Sequence, residues 1–159
     1  MLVLERTRNE ERETNHFLKG ESMKVGFIGI GTMGGHMALN VRTKGYEVTV
    51  HDLREAAAGP HLKAGCKWAS SAREIAENSE VVFTSLPGPK DVQRVAEELL
   101  PAMRKGTAWF DLSTNSPTVV REISARFATK GIAMLDAPVS GGPAGAKSGK
   151  LALYVSGDK

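Results

Sequence analysis

Short apolar runs alternate along this chain with stretches of helical periodicity, and that alternation is its main structural signal. Val25–Ile30 predicts a strand buried on both faces. Met33, Met37 and Val41 then recur at four-residue spacing, as one face of a helix would. Lys44-Gly45 predicts its end, with a cation in the last turn and glycine after it. Glu47–His51 reads as a second strand, Ala56–Ala64 as a short helix interrupted near its start by Gly59-Pro60, and Lys67–Ala69 as a third strand. Ser71-Ala72-Arg73-Glu74 fits a capping box opening a helix to about Glu77. Val81–Leu86 predicts a fourth strand, and Val92, Val95, Ala96, Leu99 and Leu100 the buried face of the next helix. Ala108–Asp111 predicts a fifth strand. Ser116-Pro117 then starts a helix, with serine as the cap and proline in the first turn. Val120, Ile123 and Phe127 face inward from it, and Ile132–Leu135 predicts a sixth strand. Gly141, Gly142, Gly145 and Gly149 then crowd an expected loop before a last strand within Leu151–Val155.

Strand and helix in steady alternation, with short connections, call for an α/β fold: a doubly wound, mostly parallel sheet with helices on both faces. The first 22 residues break the pattern. Glu5, Arg6, Arg8, Glu10, Glu11, Arg12, Glu13, Lys19 and Glu21 give mixed charge with few apolar positions, so residues 1–22 are expected to be a disordered extension. That segment lacks the apolar core of a signal peptide and is too acidic for a transit peptide. Met23 stands just before the first strand and is the expected start of the folded domain, which runs to Lys159.

Composition narrows the function classes only a little. Net charge is +3, with the basic residues scattered rather than striped, so no nucleic-acid face is expected. No apolar run approaches the roughly 20 residues of a membrane span. Cys66 is the single cysteine, which excludes an internal disulfide and fits a reducing, cytoplasmic location. It reads as a small buried hydrophobe. No metal-ligand spacing is present, and no serine–histidine–acid set can be assembled.

The chemistry is concentrated in Gly29-Ile30-Gly31-Thr32-Met33-Gly34, a glycine turn between the first strand and its helix. That arrangement wraps a dinucleotide pyrophosphate, as in the Rossmann-type fold. Gly29 permits the tight turn, Gly31 lets the pyrophosphate approach the backbone, and Gly34 lets the helix pack closely. The helix N-terminus offers free N–H groups and partial positive charge. Asp52 lies 23 residues after Gly29, at the end of the second strand, where a carboxylate bonds the adenosine ribose. It favours NAD over NADP by repelling a 2′-phosphate. Arg54 complicates the preference, since a nearby arginine can accept that phosphate. His51 and His36 read as packing or solvated residues. Further loops follow the fourth, fifth and sixth strands: Leu86-Pro87-Gly88-Pro89, Asp111 to Asn115, and Asp136 to Gly142. All lie at carboxyl ends of strands, where open α/β sheets bind ligands. Ser140 and the glycines after it could present backbone N–H groups to a carboxylate.

Gly26 to Asn40 resembles the N-terminal signature of the 3-hydroxyisobutyrate dehydrogenase, or β-hydroxyacid dehydrogenase, family. Asp136-Ala137-Pro138-Val139-Ser140-Gly141-Gly142 resembles that family's substrate motif, and Ala146 to Leu151 continues it. The resemblance covers about Met23 to Lys159. Related 6-phosphogluconate dehydrogenases share the plan, but the proline of Ala137-Pro138-Val139 fits the hydroxyacid group better. The resemblance implies reversible NAD(P)-dependent oxidation of a small β-hydroxy acid to its semialdehyde. It implies that Gly29, Ile30, Gly31, Met33 and Gly34 hold the pyrophosphate and Asp52 the adenosine ribose. Leu86, Pro87 and Asp91 would line the cofactor groove, with Thr114 at the nicotinamide ribose. Ser140, Gly141 and Gly142 would hold the substrate carboxylate.

The family's catalytic lysine belongs to a G-x-x-G-x-G-x-x-x-K-x-x-x-N motif, which the resemblance places beyond Lys159. No catalytic residue is therefore expected within this sequence. Lys147 and Lys150 belong to the substrate motif's continuation and are not candidates for that role. The family's all-helical C-terminal domain, which usually makes the dimer, is not in this sequence either. The expectation is the cofactor half of a dehydrogenase, oligomeric only in its full-length form. The alternatives are a stand-alone NAD(P)-binding module or a decayed fragment.

Overall fold

The computed structural model describes residues 22–157. Two expectations fall outside the described residues. One is the charged N-terminal segment, apart from Ser22. The other is the end of the folded domain at Lys159, which with Asp158 lies past the last described position. Within the described residues the domain expected from Met23 onward is followed as far as Gly157. Six parallel strands form the main sheet: β1 (Lys24–Ile28), β2 (Glu47–His51), β3 (Lys67–Trp68), β4 (Val81–Thr84), β5 (Ala108–Asp111) and β6 (Ala133–Asp136). Their spatial order is β3-β2-β1-β4-β5-β6, so the chain reverses direction across the sheet between β1 and β4. The helices are α1 (Gly34–Thr43), α2 (Gly59–Lys63), α3 (Ala72–Asn78), α4 (Pro89–Ala102), α5 (Pro117–Ala128) and α6 (Gly142–Ser148). A short hairpin sheet, β7 (Val139–Ser140) with β8 (Ala152–Leu153), is antiparallel. The doubly wound α/β architecture expected from the alternation is present.

Because the strands alternate their side chains, each face of the sheet carries its own core. On one face Ile28, Val82 and Trp109 meet Ile75, Leu99 and Phe127 from α3, α4 and α5. On the other face Val25, Phe27, Val48 and Val50 meet Met37, Ala38 and Ala146 from α1 and α6. Trp109 and Phe127 are fully buried with ring centroids 5.0 Å apart. Each such side chain contributes roughly 1.5–3 kcal/mol by leaving water.

Several boundaries differ from the sequence expectation, and backbone hydrogen bonds give the reasons. β1 stops at Ile28 because Gly29 adopts φ +85° and Ile30 gives its N–H to the Asp52 carboxylate at 3.0 Å. β4 stops at Thr84 because the Leu86 N–H turns to Ser113 Oγ at 2.9 Å. The Ala56–Ala64 helix begins as a 3-10 turn, Glu55–Ala58, and becomes α2 only at Gly59. Ser71 does cap α3, accepting the Glu74 N–H at 3.1 Å. The Glu74 carboxylate reaches past it, taking the N–H and hydroxyl of Ser70. Ser116 sits at the cap of α5 without a side-chain bond; Asn115 Oδ1 accepts its N–H instead. The glycine-rich loop expected at Gly141–Gly149 is in fact largely α6, with Pro143 in its first turn and left-handed Gly149 at its C-cap. The expected last strand shrinks to β8, and Ser156 bridges Asp136 at the β6 edge.

Candidate functional site

The reversal between β1 and β4 leaves a crevice at the carboxyl ends of the strands, where the loops after β1, β2 and β4 diverge. A cleft of about 510 Å³ occupies that place. It falls within the usual range for small-molecule sites. Its walls include Gly29, Gly31, Met33 and Gly34 from the glycine turn, Asp52 and Arg54 after β2, and Leu86 and Pro87 after β4.

The glycines do different work. A Cβ on Gly29 would lie 2.3 Å from the Ser85 carbonyl oxygen, and one on Gly34 only 1.9 Å from the Gly29 carbonyl oxygen. Both are glycine because the chain packs against itself there. Gly31 is not crowded: a Cβ there would meet only the Arg54 guanidinium, at 4.0 Å. The space above its backbone opens into the cleft. The N-terminus of α1, where the Gly35 N–H bonds the Gly31 carbonyl at 2.9 Å, carries partial positive charge and lies at this end. A diphosphate fits that combination of open backbone and positive helix terminus.

Asp52 ties the site together. One carboxylate oxygen accepts the Ile30 N–H at 3.0 Å, and the other accepts the Arg54 N–H at 2.9 Å. Its side chain is 11% exposed, while that of Arg54 is 74% exposed with Nε 3.6 Å from Oδ1. A carboxylate has about four acceptor directions, so lone pairs remain for an incoming hydroxyl. The opposite wall is one face of α4, where Asp91, Arg94, Val95 and Glu98 follow helical spacing. Arg94 is held by Asp91 at 3.3 Å. Sequence reasoning passed over Arg94 and Glu98 because charged positions on an exposed helix face carry no local signal. His51 is half-buried, with its Nδ1 2.9 Å from the Ala69 carbonyl oxygen, and packs beside Trp68.

The cleft thus gathers Gly29, Gly31, Met33, Gly34, Asp52, Leu86, Pro87 and Asp91. Ile30 is buried beneath it. Thr114 is exposed beyond the lip, and Ser140, Gly141 and Gly142 stand where β7 runs into α6, outside the cleft. Gly141 and Gly142 hold φ of +131° and +61°, which glycine alone adopts readily. The expected place of the lysine motif, beyond Lys159, lies outside the described residues. Among the described residues no cluster of histidine, cysteine and acidic side chains could hold a metal, and no helix is long and apolar enough to cross a membrane.

Residues 24–159 match the family model for the NAD binding domain of 6-phosphogluconate dehydrogenase. Over 138 residues the chain is 41% identical to the NAD-dependent L-serine dehydrogenase of Pseudomonas aeruginosa, covering 85% of this chain and 46% of that protein. It is 37% identical to the mitochondrial 3-hydroxyisobutyrate dehydrogenase of Mus musculus, covering 84% of this chain and 41% of the relative. Among solved structures, the Mycobacterium tuberculosis 3-hydroxyisobutyrate dehydrogenase with L-serine superposes with a TM-score of 0.83 at 37% identity, over 87% of this chain and 48% of that one. Psf3 in complex with NADP+ gives a TM-score of 0.80 at 33% identity, over 84% and 49%. The chain spans about half the length of these relatives. It belongs to the 3-hydroxyisobutyrate dehydrogenase family, and the part of that family it contains is the Rossmann-type domain that takes NAD or NADP.

Proposed function

We propose that this chain is the cofactor-binding portion of an NAD(P)-dependent β-hydroxyacid dehydrogenase, which interconverts a small β-hydroxy acid and its semialdehyde. The observation that carries the reading is the open backbone at Gly31, set between the α1 N-terminus and Asp52 in one cleft. When bound, the nicotinamide supplies or accepts the hydride. The chain's own residues bind and orient. The N–H groups of Gly31, Met33 and Gly34 take the pyrophosphate, and Asp52 takes the adenosine ribose hydroxyls. Leu86, Pro87 and Asp91 line the groove, and Thr114 approaches the nicotinamide ribose. Ser140, Gly141 and Gly142 hold the substrate carboxylate. The proton for the substrate oxygen comes from the family's lysine motif, beyond Lys159, and the dimer belongs to the longer protein. The buried, unpaired thiol of Cys66 fits a reducing, cytoplasmic setting.

NAD is the preferred cofactor. Asp52 is nearly buried and already engaged by two backbone N–H groups, so it cannot swing away from a 2′-phosphate. Titrating the chain with NADH and NADPH tests this: NADH binds more tightly, and Asp52→Ala narrows the gap. Equal affinities in the parent chain would contradict the ribose assignment.

A further inference from the structure

Behind the cleft, β4 and β5 are joined by a buried chain of polar side chains that meets the cleft wall at the backbone of Leu86. Trp109 Nε1 donates to Thr84 Oγ1 at 2.9 Å, and the Thr84 hydroxyl donates to Asp111 Oδ1 at 2.8 Å. The same carboxylate oxygen accepts the Ser113 N–H at 3.1 Å, while Asp111 Oδ2 accepts from the Asn115 amide at 3.0 Å. Ser113 Oγ then accepts the Leu86 N–H at 2.9 Å. Trp109, Thr84 and Asp111 are wholly buried, and Ser113 is 3% exposed. Every link is satisfied, so the network has one arrangement.

What this network fixes is the lip. Leu86 turns its side chain toward Gly29, where Cδ2 would lie 3.0 Å from a Cβ, and Leu86 and Pro87 line the cleft. The strand order also sets the direction of a bound dinucleotide. Asp52 follows β2 and the glycine turn follows β1, so the ligand runs on from the pyrophosphate toward β4 and β5. The lip therefore stands on the nicotinamide side. We infer that the buried Thr84–Asp111–Ser113 relay fixes the Leu86–Pro87 lip, making Ser113 a positioning residue for the nicotinamide half of the dinucleotide. The inference rests on the cofactor reading above. It also assigns Ser113 a role through Leu86, because its own hydroxyl is buried and already accepts a bond.

The test uses the full chain and two ligands, NADH and AMP, the latter carrying the adenosine ribose and one phosphate, which reach Asp52 and the glycine turn but lack the nicotinamide half. Ser113→Ala removes the acceptor of the Leu86 N–H. It weakens NADH binding about tenfold, the factor equivalent to about 1.4 kcal/mol, and leaves AMP binding, followed by NMR titration, unchanged. Unchanged affinity for NADH would overturn the inference, and so would equal weakening of both ligands, which a merely structural role produces. If Ser113→Ala does not fold, Thr84→Ser and Thr84→Val give the same comparison. Serine keeps the hydroxyl and NADH affinity; valine keeps the shape and loses affinity, and equal behaviour of the two contradicts the relay. A parent chain that binds AMP and NADH nowhere would refute the cofactor reading itself, and the relay's role with it.

Discussion

Gly31 and Gly34 lie in the same turn, yet the structure assigns them opposite consequences when a methyl group is added. At Gly34 the new Cβ would lie 1.9 Å from the Gly29 carbonyl oxygen and 3.0 Å from Ser85 Cβ. The first contact is with backbone, so α1 itself must shift to clear it. Alanine gains about 1 kcal/mol of helix propensity over glycine. Overpacking a rigid site costs about 1–3 kcal/mol or more. The expected result is a lower Tm together with weaker dinucleotide binding. At Gly31 the Cβ meets only the exposed Arg54 guanidinium at 4.0 Å, and φ lies outside the glycine-favouring region. Folding stability is unchanged, or higher by up to about 1 kcal/mol through a less flexible unfolded chain. The methyl group instead stands where the pyrophosphate approaches. Losing one charge-assisted hydrogen bond there, about 1.5–3 kcal/mol, weakens NADH binding by tenfold or more, about 1.4 kcal/mol per decade. Calorimetric unfolding and NADH titration on Gly31→Ala and Gly34→Ala separate the two effects. A Gly31→Ala chain that binds NADH as the parent does would refute the placement of the pyrophosphate.

Other regions give independent expectations. Gly26→Ala places a Cβ 2.3 Å from Ile75 Cγ2 and 2.6 Å from Ser79 Oγ. That overpacking costs about 1–3 kcal/mol and lowers the denaturant midpoint without touching the cleft; an unchanged midpoint would contradict the packing of α3 on β1. Burial, followed by the neighbouring Asp111 carboxylate, pushes Asp136 above its ordinary value of 3.8. The folded chain thus holds this proton more tightly than the unfolded chain. The resulting stability is present below the ordinary value and is lost as pH rises through the raised one. Asp136→Asn removes that slope, so its Tm exceeds the parent's near neutral pH and the difference disappears in acid; a constant difference across pH would count against this. Burial also pushes the Cys66 thiol up. Iodoacetamide therefore labels it slowly in the native chain and readily in urea, and rapid native labelling would contradict its burial.

The sheet was legible because buried parallel strands must be apolar, and the runs at Val25, Val81 and Ala108 have no competing helical period. The glycine turn and Asp52 were legible because close backbone approach and a strand-end carboxylate leave their mark in residue type. α6 was not. Its glycines point to a loop, and the helix is held by tertiary contacts instead: Ala146 is fully buried, and its carbonyl accepts from Asn40 Nδ2 at 2.6 Å. His61 was also missed. A histidine in a short helix looks solvent-facing, yet it is 4% exposed and its Nε2 lies 3.1 Å from the Gly35 carbonyl. The bent capping at Ser70 and Glu74 shows the same limit. A motif fixes which groups can bond, and the approach of neighbouring backbone decides which do.

The most direct test of the central claim is a crystal structure of this chain grown with NADH. The account predicts the pyrophosphate against the Gly31 backbone at the α1 N-terminus, the adenosine ribose hydroxyls on Asp52, and the nicotinamide beyond the Leu86–Pro87 lip. A dinucleotide seated elsewhere, or one whose adenosine ribose makes no contact with Asp52, would contradict it.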